Sequence, residues 1–171
     1  MVTEPAAPKP KRPKRVSPTQ RTLGECRARG WIVQVVERWQ SFFGKKGPGP
    51  SGVRVDLFGV IDLVAIVTVP NNVSMDASVS GETWNVRPTT AILGIQACAG
   101  SGGSPAARMA KAAAEPRLRA WLAAGGKFEV WAWRKTNDRT KGARKLWSLR
   151  RVEAELCGGA VAWHEVEEVE P

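Results

Sequence analysis

The stretch "AILGIQACAGSGGSPAARMAKAAAEPRLRAWLAAGG", residues 91–126, passes from an apolar run through a glycine turn into alanine-rich sequence. Residues 91–99 read as a strand, because a short apolar run bounded by glycine fits the pleat and is too brief for a helix. After "GSGG", Ser104 is placed as an N-cap and Pro105 as the first helical residue, where the missing amide hydrogen costs nothing. Pro116 then breaks or restarts the helix, since its ring clashes with the carbonyl four residues earlier, and the continuation stops at Gly125–Gly126.

Reading outward from this unit gives the rest of the fold. Upstream, "TQRTLGECRARG" (19–30) sets Leu23 and Cys26 three apart, with Thr19 or Thr22 as cap and Gly30 as stop, and reads as a helix. "WIVQVVERW" (31–39) reads as one strand and residues 53–69 as a second, separated by the Gly/Pro loop "QSFFGKKGPGPSG" that carries Lys45 and Lys46. The turn-rich "PNNVSMDASVSGETWNVRPTT" (70–90) reads as an extended connection, with a short hairpin of its own as the alternative. Downstream, "KFEVWAWRK" (127–135) alternates as a strand, "TNDRTKGAR" is a basic loop, and "KLWSLRRVEAEL" (145–156) is its hairpin partner, with helix the alternative at its end. The order predicts an α/β domain, a mixed central sheet flanked by helices with a C-terminal hairpin. Residues 1–18, rich in Pro, Lys and Arg, are expected to be a disordered basic arm, 19–157 the folded domain, and 158–171 an acidic, mobile tail.

Bulk properties restrict the function. The chain has 171 residues, 43% of them apolar, and a formal charge of +10, which favours a polyanion such as nucleic acid as partner. No apolar stretch is long enough to cross a bilayer and the N-terminus has no secretory apolar core, so the expectation is a soluble, cytoplasmic protein. Cys26, Cys98 and Cys157 are odd in number and far apart, which suggests neither a disulfide framework nor a zinc site. His164 is the sole histidine, leaving little room for imidazole catalysis.

Two apolar strands each hold one strongly polar residue: Asp62 in "FGVIDLVAI" (58–66) and Gln96 in "ILGIQACAG" (92–100). An isolated buried Asp is costly unless paired, hydrogen-bonded or bound to a metal. Side by side, the two would form an oxygen-rich pocket suited to Mg²⁺ or Mn²⁺. The plainer alternative is that Asp62 caps a turn and Gln96 satisfies neighbouring backbone.

With the element order, these residues resemble the PD-(D/E)XK nuclease superfamily, in particular its archaeal-type Holliday junction resolvases and phage-encoded relatives, from about Thr19 to Lys135. The resemblance implies a restriction-endonuclease-like αβββαβ core and metal-dependent hydrolysis of DNA phosphodiesters, on branched or structured DNA, in a bacterial or phage-infected cytoplasm. Glu25 in "GECRARGW" matches the acid of the first helix and Asp62 the metal-binding Asp. Gln96 and Cys98 stand where the superfamily has Glu-x-Lys. The resemblance thus implies Asp62, Gln96, the Ala97 carbonyl and Glu25 as metal ligands, Lys111 as the substitute lysine orienting the attacking water, and Arg108 as a phosphate clamp. A solvated basic helix face is the alternative for Arg108 and Lys111. Homodimerisation is implied by analogy, since two strands are commonly cut by paired sites.

Asp56 is either a second carboxylate for the metal or the cap of its strand, and Glu37 is expected to partner an Arg. Lys45, Lys46 and Arg54 are candidates to reach phosphates, and Arg134, Lys135, Arg144 and Lys145 form a basic hairpin that could lie along a backbone. Trp133 and Trp147 either stack on bases or fill the sheet face. The remaining alternatives are a nuclease-fold protein that only binds DNA, and a basic protein unrelated to nucleases.

Overall fold

A computed structural model describes residues 16–42, 51–69, 89–101, 104–137 and 145–166. The expected arm up to residue 15, the loop with Lys45 and Lys46, the connection 70–88, Arg144 and the last five residues lie outside them.

The elements are α1 (Pro18–Ala28), β1 (Ile32–Val35), β2 (Arg38–Phe42), β3 (Ser51–Val55), β4 (Leu63–Val69), β5 (Thr89–Ala99), α2 (Ser104–Ala114), α3 (Pro116–Ala123), β6 (Lys127–Asn137), β7 (Lys145–Cys157) and β8 (Ala160–Glu165). Six strands form one sheet in the order β1-β4-β5-β6-β7-β8, while β2 and β3 pair separately as an antiparallel ribbon. Only β5 and β6 run parallel in the large sheet, as the crossover through α2 and α3 requires; its other pairs are antiparallel. The mixed α/β class expected from sequence is therefore observed. Among the described residues no helix is long and apolar enough to cross a membrane.

Strand alternation divides the core in two. Leu63, Ala65, Val67, Leu93, Ile95, Ala97 and Trp131 pack with Leu23 and Cys26 of α1 on one face. Val60, Ile61, Cys98, Phe128, Val130, Ala132 and Ala154 pack with Ala112 and Leu118 of α2 and α3 on the other. Gly94 lies between: a Cβ there would come within 2.9 Å of Ile61 Cδ1, so the glycine leaves room for the turn that precedes β4.

Several expectations need correction. Helix α1 is capped by Ser17, whose Oγ accepts from the Gln20 amide at 3.2 Å, and not by Thr19 or Thr22; the proline at 18 fills the first helical position. The folded part thus starts ahead of residue 19. The strand expected over 31–39 breaks after Val35, because the amides of Val36 and Glu37 both donate to the Asp62 carbonyl and the chain leaves the sheet. The strand expected over 53–69 is interrupted by a tight turn in which Phe58 (φ 56°) and Gly59 (φ 75°) are both left-handed, closed by the Leu57–Ile61 bridge.

The C-terminus is the largest correction. Residues 160–165, expected to be tail, are strand β8, joined to β7 through Gly158 and Gly159, both at positive φ. Acidic composition masked this hairpin. Trp163 supplies the reason for docking: it meets Phe128 edge-to-face at 6.1 Å over the second core. At the end of β7 the strand reading holds and the helical alternative does not.

Candidate metal and phosphate cleft

β5 outruns its partner. Pairing with β4 ends at Leu63↔Ile95, so residues 96–99 of β5 have no β4 residue beside them. The Asp62 side chain occupies that vacated edge. Its backbone is fixed first: the Asp62 amide donates to the Ile95 carbonyl at 2.9 Å, and its carbonyl accepts from Val36 and Glu37 at 2.9 and 3.2 Å. Its Oδ2 then accepts from the Ala97 amide at 2.8 Å and from Gln96 Nε2 at 2.6 Å.

Asp62 is only 6% exposed and sits at the floor of a cleft of about 350 Å³. Burial pushes its carboxyl up to about 6 from an ordinary 3.8; the Ala97 bond works against this, Asp56 and Glu37 add to it, and Arg108 opposes it. The walls carry both signs of charge. Glu37 and Asp56 supply carboxylates, Arg54, Arg108 and Lys111 supply cations, and Thr19 completes the lining. The Asp56 carboxyl is also pushed up, by burial first and then by Glu37.

The cations differ in how they are held. Arg54 Nη1 lies 3.1 Å from Glu37 Oε1, which bears out the expectation of an arginine partner for Glu37 while leaving both in the cleft. Lys111 Nζ donates to the Gly59 carbonyl at 2.5 Å, and Arg117 Nη2 donates to that of Phe58 at 3.2 Å. Helices α2 and α3 thus grip the left-handed turn from its carbonyl side. A non-glycine residue at positive φ stores local strain, and these two bonds help to hold Phe58 there.

The predicted residues divide accordingly. Asp62, Gln96, Ala97, Arg54, Arg108 and Lys111 come together in the cleft, and Asp56 joins them. Glu25 does not. Its carboxylate pairs with Arg29 one turn along α1 at 2.9 Å, away from the cleft lining. Gln96 also plays a different part from the one expected: it turns its amide nitrogen toward Asp62 as a donor and does not present its oxygen beside that carboxylate. The Ala97 carbonyl leaves β5 on the same edge as its amide, which is the edge facing the cleft.

Cys98, at the expected lysine position, is a buried thiol whose pKa is raised chiefly by desolvation, in hydrogen-bond contact with Ser104. Among the described residues no three of His, Cys, Asp and Glu approach closely enough to surround an ion by themselves.

The basic hairpin divides too. Arg134 and Lys135 are exposed on β6. Arg134 joins Arg150, Arg151 and Glu165 around a second, open groove of about 520 Å³. Lys145 opens β7. Trp133 is core: 9% exposed, it donates from Nε1 to Thr22 Oγ1 at 2.9 Å. Trp147 is 41% exposed.

A feature that sequence reading did not isolate is the buried Glu129. It takes a bidentate bond from Arg151 at 2.8 Å on each oxygen and a third from Trp131 Nε1 at 2.7 Å. The bonds engage both carboxylate oxygens, so its role is to lock β6 to β7. The strict alternation of residues 128–133 did place it opposite Phe128, but gave no sign of its partner.

No family model, no curated protein and no solved structure matches this chain.

Proposed function

We propose that the protein is a metal-dependent endonuclease of restriction-endonuclease-like fold that hydrolyses DNA phosphodiesters in branched or structured DNA. The observation that carries this reading is the buried Asp62 carboxylate in a cleft that it shares with two further carboxylates, Glu37 and Asp56, and three cations, Arg54, Arg108 and Lys111. The two hydrogen bonds to Oδ2 offset only part of the cost of burying this carboxylate, and a site that retains it fits a cation delivered with its substrate. The order α1, then β1, β4 and β5, then α2–α3 and β6 supports the αβββαβ assignment.

The donor set fits a hard divalent ion. Asp62, Asp56 and the Ala97 carbonyl offer oxygen alone, and Mg²⁺ is commonly held by one or two carboxylates with water and substrate phosphate completing its shell. Such an ion, when bound, supplies a water of lowered pKa and neutralises charge on the phosphoryl group. The remaining roles belong to the chain. Gln96 and the Ala97 amide fix the Asp62 carboxylate by holding Oδ2. Arg108 and Arg54 attract and orient the scissile phosphate, and Lys111, anchored on the Gly59 carbonyl, places an ammonium at the wall where a water would be oriented. Glu25 is given no part in this scheme.

A second reading, a nuclease-fold protein that binds DNA without cutting it, is favoured by one observation: the Lys111 ammonium is already engaged with backbone, and among the described residues no other lysine lines the cleft. Labelled four-way junction, linear duplex and single-stranded DNA incubated with Mg²⁺, Mn²⁺ or EDTA separate the two. Metal-dependent cuts are expected with wild type and should vanish in Asp62→Ala, while DNA binding by that variant stays within about twofold, because the phosphate contacts belong to other residues. Cleavage by Asp62→Ala at the wild-type rate would remove Asp62 from the chemistry, and binding without cuts in any metal would leave the second reading.

A further inference from the structure

We infer that Trp147, with Arg21 and Lys135, is a stacking subsite for an unpaired nucleotide, so that the DNA bound at the cleft carries a single-stranded segment beside it. The inference rests on the proposal that the protein acts on DNA. Arg21 lies on α1, two residues from Thr19, which lines the cleft, and its guanidinium carbon stands 3.7 Å from the centre of the Trp147 ring. Lys135, directly across the β6–β7 ladder from Trp147, brings its ammonium to 5.3 Å from the same ring.

The surroundings distinguish this cluster from ordinary packing. Several basic side chains of the same elements are answered by carboxylates: Arg29 beyond the end of α1 by Glu25, and Arg150 and Arg151 of β7 by Glu165 and Glu129. Among the described residues Arg21 and Lys135 have no carboxylate partner. The Arg21 Nε is buried without any hydrogen-bond acceptor, so the guanidinium is held in place by the ring and not by a neutralising group. The indole it covers is 41% exposed, whereas Trp133, one strand away on the same face, is sealed into the core by its bond to Thr22.

A planar guanidinium stacked on an exposed indole, with a second cation at its side and no carboxylate paired to either among the described residues, matches the chemistry of an unstacked base and its phosphate. A duplex keeps its bases inside the stack and offers this platform only phosphates. The position adds direction. From Asp62 the strand would pass Thr19 of α1, which lines the cleft, to reach Trp147 on the same face of the sheet, whereas Arg134 and Arg150 alternate to the other face.

The test compares binding of a short thymidine oligonucleotide and of a linear duplex to the full-length protein by fluorescence anisotropy in EDTA, where cleavage plays no part. Trp147→Ala is expected to weaken the oligonucleotide by about tenfold or more while changing the duplex by less than about twofold, and Trp147→Phe should recover most of the loss. Arg21→Ala and Lys135→Ala should each lower the salt slope for the oligonucleotide by about 0.7, one phosphate contact apiece. Equal affinity of Trp147→Ala for the oligonucleotide, or an equal loss on both DNAs, overturns the subsite. Duplex binding by wild type with no oligonucleotide binding overturns it while leaving the DNA reading in place, and binding to neither overturns both.

Discussion

Asp62 concentrates the conflict between stability and function into one side chain. Its folded pKa, about 6, lies above the ordinary 3.8, so its contribution to stability is fully present below pH 3.8 and is lost as the pH rises through 6. The ionised carboxylate at neutral pH is therefore a burden on the metal-free fold. Asp62→Asn keeps an oxygen for the Ala97 amide and removes the charge. It should raise stability at pH 7 by about 1–3 kcal/mol and weaken the decline in melting temperature between pH 4 and 7 that is expected of the wild type. Added Mg²⁺ should raise the wild-type melting temperature and leave the variant unmoved. A variant less stable than wild type at pH 7 would show instead that the carboxylate is structural.

At this scale the sequence was informative where a polar residue interrupted an apolar strand, and misleading where helical phase was ignored. Thr22, Leu23 and Cys26 are the buried residues of α1, and Thr19 lies one turn before Thr22 and Leu23 on that face, which brings it to the cleft. Glu25 falls off that stripe and pairs along the helix with Arg29. Spacing alone held this signal. The donor role of Gln96 was not legible, because it depends on Asp62 reaching across the end of β4.

Elements were read well where period and punctuation agreed and badly where composition dominated. The break at Pro116 appears as expected, with Glu115 capping α3 by accepting from the Arg117 amide at 3.2 Å. Continuous strands over 31–39 and 53–69 failed because nothing local announces that Asp62 recruits Val36 and Glu37, or that Phe58 accepts a left-handed backbone. The β8 hairpin, by contrast, carried its signal in plain view: a Gly-Gly pair between β7 and the alternating Val161 and Trp163. Its removal provides a direct check. A chain ending at Cys157 strips the β7 edge of its partner and bares Phe128 to solvent, so its melting temperature should fall by several degrees, roughly what a loss of 1–3 kcal/mol produces. A true tail would leave the melt unchanged.

Across the whole molecule, charge is sorted by position. The carboxylates that answer Arg150, Arg151 and Lys127 sit along β6, β7 and β8, while Arg54, Arg108 and Lys111 converge on the cleft and Arg21 and Lys135 flank Trp147. With a net charge of +10, affinity for DNA should fall steeply as salt rises, with a logarithmic slope of about −0.9 for each duplex phosphate contacted. Equilibrium titrations at several salt concentrations measure it. A slope near zero would mean that the basic surface does not meet phosphate, and would sink the DNA reading at the level of the entire surface.

The hydrogen bond from the Ala97 amide to Asp62 Oδ2 turns one backbone proton into an observer of the site. In isotope-labelled protein the Ala97 amide resonance would move with ionisation of the carboxylate it touches, with a midpoint near pH 6, while the Val36 and Glu37 amides, bound to the Asp62 carbonyl, should hold steady. A single peak in a spectrum would thus follow the charge on Asp62 without substrate, cleavage or mutation.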